Sequence, residues 1–153
     1  MENKISEGLI LQHIEGLVKD EPNWIANLSN AAALLNESLD QINWVGFYLW
    51  DEADEELVLG PFQGRVACIR IASGKGVCGT AFEQGETIVV PDVNEFPGHI
   101  VCDAASQSEI VVPLIKDGKT IGVLDVDAPV KNRFGDAEKE MLEAFVEVFL
   151  KYA

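Results

Sequence analysis

The dipeptide Asp117-Gly118 stands between two apolar runs, Ile110 to Ile115 and Thr120 to Asp127. Asp-Gly accepts the positive φ angles of a tight primed turn, and the flanking runs are rich in β-branched residues, so the segment predicts an antiparallel hairpin. A sheet begun this way must bury at least one face. The sequence supplies the cover at both ends. Ile5, Leu9, Ile14, Leu17 and Val18 recur at helical spacing, and after Asp20 and Pro22 a second stripe runs through Ile25, Leu28, Ala32, Leu35 and Leu39. Asp136 to Tyr152 gathers Met141, Leu142, Phe145, Val148, Phe149 and Tyr152 on one side, with Asp136 as the expected N-cap.

Between these helices the chain reads as short strands. Ile42 to Trp50 is aromatic and β-branched and ends in the acidic turn Asp51 to Glu56, and a second strand begins at Leu57. Gly60-Pro61-Phe62-Gln63-Gly64 is expected to break regular structure, Cys68 to Ile71 to form a strand, and Ser73-Gly74-Lys75-Gly76 to open a short helix through Phe82. A strand at Thr87 to Val90 precedes a loop from Asp92 to Ser108, a length usually tied to function. The expected architecture is α+β, a central antiparallel sheet with the N- and C-terminal helices on one face and pocket-forming loops on the other, as one domain over residues 1–153.

A net charge of -15 repels phosphate backbones and anionic lipid, which argues against nucleic acid and membrane surfaces as partners. Glu2, Lys4, Glu7, Glu15 and Lys19 interrupt the first helix, so it reads neither as a signal peptide nor as a membrane span, and a cytoplasmic location is expected. A homodimer through the leucine-bearing first stripe is a further expectation.

Three cysteines, Cys68, Cys78 and Cys102, form no Cys-x-x-Cys pair, and His13 and His99 lie far apart, so no zinc site of usual spacing and no cofactor is expected. Cys78 falls near the start of the short helix, where the helix dipole favours a thiolate. Cys102 lies in the long loop near His99, a possible base, but beside Asp103, which opposes ionisation. These features alone do not rank the two thiols. Along the hairpin's second strand Ile121, Val123, Asp125 and Asp127 alternate onto one face, and acids ending an apolar face need a cationic or hydrogen-bonding partner unless water reaches them. Trp44, Gly46, Tyr48 and Trp50 alternate likewise, either as plain core or as flat walls for a small ligand.

Several stretches together resemble one family, the free methionine-(R)-sulfoxide reductases, which are stand-alone GAF domains. They are Asn43-Trp44-Val45-Gly46-Phe47-Tyr48, Leu59 to Gly64 leading to Cys68, Gly74-Lys75-Gly76-Val77-Cys78-Gly79, Phe96-Pro97-Gly98-His99-Ile100 leading to Cys102-Asp103, Ser108 to Pro113, and Gly122 to Asp127. The resemblance implies that Cys102 is the nucleophile, Cys68 the resolving cysteine and Cys78 an auxiliary thiol. It further implies that Glu109, Asp125 and Asp127 line the substrate pocket, with Trp44 and Tyr48 as its aromatic wall. Val101 and Ala128 depart from the family's pattern beside these positions.

On this reading Cys102 attacks the sulfoxide sulfur of free methionine sulfoxide, Asp127 with Glu109 assisting protonates the oxygen, and Cys68 closes a disulfide that thioredoxin reduces. The alternatives are a non-catalytic GAF module that senses a small ligand, and a Cys-His hydrolase built on Cys102 and His99. One geometric condition follows. With a regular ladder around a two-residue turn, Ile110 faces Asp125 and Glu109 points away from both aspartates, so a shared pocket requires a bulge, a longer turn, or Glu109 outside the strand.

Overall fold

The computed structural model describes residues 2–100 and 104–153, with side chains described from residue 8 onward. Val101, Cys102 and Asp103 therefore lie outside the described residues. The elements are α1 (Glu2–Val18), α2 (Trp24–Ser38), β1 (Trp44–Asp51), β2 (Glu56–Gly64), β3 (Arg70–Ala72), α3 (Gly76–Gln84), β4 (Ile88–Val90), β5 (Ser108–Lys116), β6 (Lys119–Ala128) and α4 (Asp136–Lys151). The strands form one antiparallel sheet in the order β3-β2-β1-β6-β5-β4.

Alternation along the central strands sends Val45, Phe47, Ile110, Val112, Leu124 and Val126 to one face. There α1, α2 and α4 cover them, and Phe47 stacks on Phe149 of α4 at 5.7 Å. Most of these core side chains are fully buried, each contributing roughly 1.5–3 kcal/mol of transfer free energy. The helix stripes are rotated from the expected ones. Leu9 and Ile25 are exposed, while Ile10, Ala31 and Leu34 are buried. Asn23 caps α2 through Ala26 N–H, and α4 is capped at Gly135, not at Asp136, with Glu138 Oε1 accepting from the Gly135 N–H at 2.7 Å. No helix among the described residues is long and apolar enough to cross a membrane.

Two bulges set the registers. In β2 the pairs Gly46↔Phe62 and Tyr48↔Leu59 leave one residue too many beside Phe47, and the extra length falls at Gly60-Pro61. The expected break is thus a bulge inside a continuous strand, which is where a proline without an N–H is tolerated. In β6 the turn pairs Lys116↔Lys119 and Ile115↔Thr120, but beyond it Leu114 faces Gly122, so Ile121 is the surplus residue. This is one of the departures that a shared pocket requires. It also sends Ile121 to the helix-covered core, not to the face of Val123.

The slip aligns residues in rows across the sheet. Glu109 faces Asp127, which faces Trp44; Val111 faces Asp125, which faces Gly46. Gly46 has no room for a side chain, because a Cβ there would lie 2.2 Å from Phe62 Cβ and 2.9 Å from the Trp44 ring. Gly46→Ala is expected to cost about 1–3 kcal/mol by overpacking, read as a lower urea midpoint at unchanged slope. An unchanged midpoint would refute the tight Phe62 contact.

Candidate active site

The face opposite the three terminal helices carries Trp44, Tyr48, Val111, Val123 and Val90, and packs against Val77, Cys78 and Ala81 of α3. Here the sheet does not close. Trp44, Tyr48, Cys78, His99, Glu109, Asp125 and Asp127 line a cavity of about 40 Å³, room for two or three waters. The rows of the sheet explain the convergence. Glu109 from β5 and Asp127 from β6 are cross-strand partners, Asp125 is the next residue on that face, and Gly46 opposite it lets Phe62 and the Trp44 ring pack close against β1.

The aromatic wall is stacked and tethered. Trp44 lies on Phe62 at 5.1 Å and on Tyr48 at 5.9 Å. Trp44 Nε1 donates to the Arg65 carbonyl at 3.1 Å, and the Tyr48 hydroxyl donates to the Cys68 carbonyl at 2.9 Å. Both rings therefore fix the segment carrying Cys68 at the rim of the cavity, a role that the residue pattern does not announce. Cys68 is disulfide-bonded, whereas Cys78 is a buried free thiol, so that bridge does not involve Cys78.

Glu109 and Asp125 are almost fully buried, and such carboxyls ionise only against a desolvation cost. The two respond in opposite directions. Burial, then the neighbouring Asp127 and Glu109, push Asp125 well above the usual carboxylate range. Burial also raises Glu109, but the His99 ring and the hydrogen-bonding reach of Asp125 and Asp127 outweigh it and hold Glu109 below its ordinary value. His99 Nε2 stands 3.7 Å from Glu109 Oε1, an ion-pair separation longer than a hydrogen bond. Asp125 Oδ1 is buried and has no hydrogen-bond partner among the described residues. An orphaned oxygen at a cavity wall is an open place for a ligand donor or, on the protonated acid, a ligand acceptor.

Cys78 corrects an expectation. It is the third residue of α3, as the dipole argument requires, yet burial, then the charges of Asp125, Glu109 and Asp127, push its thiol well above its ordinary value. Desolvation beside acids overrides the dipole. Tyr48 is raised for the same reasons, burial first and Asp125 second. The structure thus brings together Trp44, Tyr48, Cys78, Glu109, Asp125 and Asp127 from the sequence-derived set, with Cys68 tied to Tyr48, while Cys102 lies outside the described residues. Sequence reasoning did not place His99 among the acids. Its position three residues before Cys102 in the long loop is the available signal.

A curled antiparallel sheet with helices on one face and a small acid-lined cavity on the other is here the fold of a GAF domain, and the GAF domain family matches residues 25–149. The chain is 49% identical to the free methionine-R-sulfoxide reductase of Saccharomyces cerevisiae, covering 97% of this chain and 85% of that one. It is 51% identical to the protein of the same name from Escherichia coli, over 85% and 78% of the two chains. The structure of fRMsr of Staphylococcus aureus in complex with substrate superposes with a TM-score of 0.90 at 56% identity, covering 96% and 95%. Within the GAF domains, the chain belongs to the free methionine-R-sulfoxide reductase family.

The raised Asp125 gives a stability test. Its unfolded carboxyl titrates near 3.9, so between that value and its higher folded value the native state binds the extra proton and stability falls as pH rises. Asp125→Asn removes this dependence. From about pH 5 upward, until its folded-state value is passed, the variant should gain on wild type by up to ~1.4 kcal/mol per pH unit in urea unfolding. A constant difference between the two would mean that Asp125 is ionised in the fold.

Proposed function

We propose that this chain reduces free methionine-(R)-sulfoxide to methionine, with Cys102 as the attacking thiol. The observation that carries the reading is the acid cluster: Glu109, Asp125 and Asp127 converge in one cavity beneath Trp44 and Tyr48, with Asp125 pushed well above the ordinary carboxylate range and Glu109 held below its ordinary value. Similarity to named reductases supports the reaction class.

The Cys102 thiolate attacks the sulfoxide sulfur, and the sulfoxide oxygen takes a proton from the cluster. We move the donor role from Asp127, the choice made from sequence, to Asp125, whose carboxyl burial and its acidic neighbours push up, with Asp127 beside it in the same strand. Methionine departs and Cys102 is left as a sulfenic acid, so sulfur of the substrate is reduced by two electrons and the cysteine oxidised by two. The Cys68 thiol then displaces the sulfenic oxygen as water and forms a disulfide. A thioredoxin-like dithiol attacks that bridge and restores both cysteines, itself becoming a disulfide, as a reducing cytoplasm provides. Tyr48, holding the Cys68 carbonyl, keeps the resolving residue at the rim.

The ionised Glu109 meets the substrate's α-ammonium, which a methionine sulfoxide inside a peptide lacks. Aromatic faces of Trp44 and Tyr48 take the methylene chain. With a thioredoxin recycling system and racemic free methionine sulfoxide, wild type should consume one epimer only and Cys102→Ser should fall to background. Acetylating the substrate nitrogen should cut kcat/KM by about 10–100-fold, the worth of one charged hydrogen bond. Equal turnover of acetylated and free substrate would overturn the ammonium contact, and epimer turnover surviving in Cys102→Ser would overturn the nucleophile.

A further inference from the structure

Cys78 takes part in none of the steps above, yet it is a free thiol buried against two of the acids. One ligand atom each from Cys78, Glu109 and Asp125 lies within 4.8 Å of the other two. Asp125, nine-tenths buried, turns an oxygen with no hydrogen-bond partner among the described residues into the cavity that the other two line.

From this geometry we propose that Cys78, Glu109 and Asp125 form a binding site for a borderline-soft divalent cation of the zinc class, which closes the cavity to substrate when occupied. One thiolate with two carboxylates suits zinc or cobalt, whereas magnesium and calcium take oxygen ligands alone. Tetrahedral zinc, with bonds of roughly 2.0–2.3 Å, holds its ligand atoms about 3.5 Å apart, so side-chain shifts of about 1 Å complete the site. His99, whose Nε2 is 3.7 Å from Glu109, stands on the loop side, where a fourth ligand or a water enters. A cation here reverses the local electrostatics: crowded acids that repel one another, and a thiol pushed up by burial and by those acids, become ligands of one divalent ion. Binding displaces the thiol proton, so affinity rises with pH.

The exclusion of substrate rests on the function proposed above, but metal binding does not, and the two are tested separately. Cobalt(II) is added to the Cys68→Ser/Cys102→Ser protein, in which Cys78 is the one remaining thiol. The expected result is a thiolate-to-cobalt charge-transfer band that strengthens with pH, is displaced by zinc, is unaffected by excess magnesium, and is lost when Cys78→Ser is added. Asp125→Asn alone should weaken zinc at least tenfold, a ligand mattering no less than the outer-shell groups that cost 10–100-fold. Absence of the band in the folded double variant, or zinc affinity unchanged in Asp125→Asn, would overturn the site. In wild type, zinc should raise the KM for methionine sulfoxide in proportion to its concentration. Inhibition that excess substrate does not relieve would overturn the closing of the cavity while leaving the metal site standing.

Discussion

A single surplus residue in β6 decides whether this molecule has a site. Because strand side chains alternate with a period of two, inserting Ile121 between Thr120 and Gly122 shifts every later residue by one place against β5. Glu109 is thereby carried from the helix-covered face to the cavity face, opposite Asp127. Without the slip its carboxylate would sit among Phe47, Leu124 and the helices, where nothing compensates its desolvation. The same shift gives Ile121, an apolar residue, to the core.

Crowding three carboxyls in one small space is unfavourable unless their protonation differs, and the surroundings divide them. Asp125, between Val111 and Gly46, is pushed well above the ordinary carboxylate range by burial and by the neighbouring Asp127 and Glu109. Glu109, with the His99 ring at 3.7 Å, is held below its ordinary value. In the proposed reaction one acid donates to the sulfoxide oxygen while the other meets the substrate's ammonium, and the proposed metal site would use the same charges in another way. The opposing Trp44 and Tyr48 rings serve twice: their faces line the cavity and their polar edges hold the backbone at Arg65 and Cys68.

Much of this is legible in the sequence where local rules are strong. The Asp117-Gly118 turn, the three terminal helices, the alternation of Trp44 with Tyr48 and that of Asp125 with Asp127 all follow from turn chemistry and periodicity. The bulge is different. Its need can be argued from the wish to unite three acids, but not its place at Ile121, since nothing local distinguishes that isoleucine from its neighbours. The Gly60-Pro61 stretch misleads for a related reason: residues that end a strand elsewhere sit in a bulge opposite Phe47 here, and the ladder resumes on both sides of it. Cys78 shows tertiary burial outweighing a helix terminus, and the partner of a buried group is not written in its own segment.

The central claim is that the buried cluster pushes the Asp125 carboxyl well above the ordinary carboxylate range, so that it holds its proton where a free aspartate is ionised. Infrared difference spectroscopy of wild type against Asp125→Asn reads it directly. A protonated-carboxyl stretch present in wild type near neutral pH and missing from the variant is the predicted result. A spectrum in which that band is absent from both, with every carboxyl ionised, would contradict the account and return the proton donor to another group.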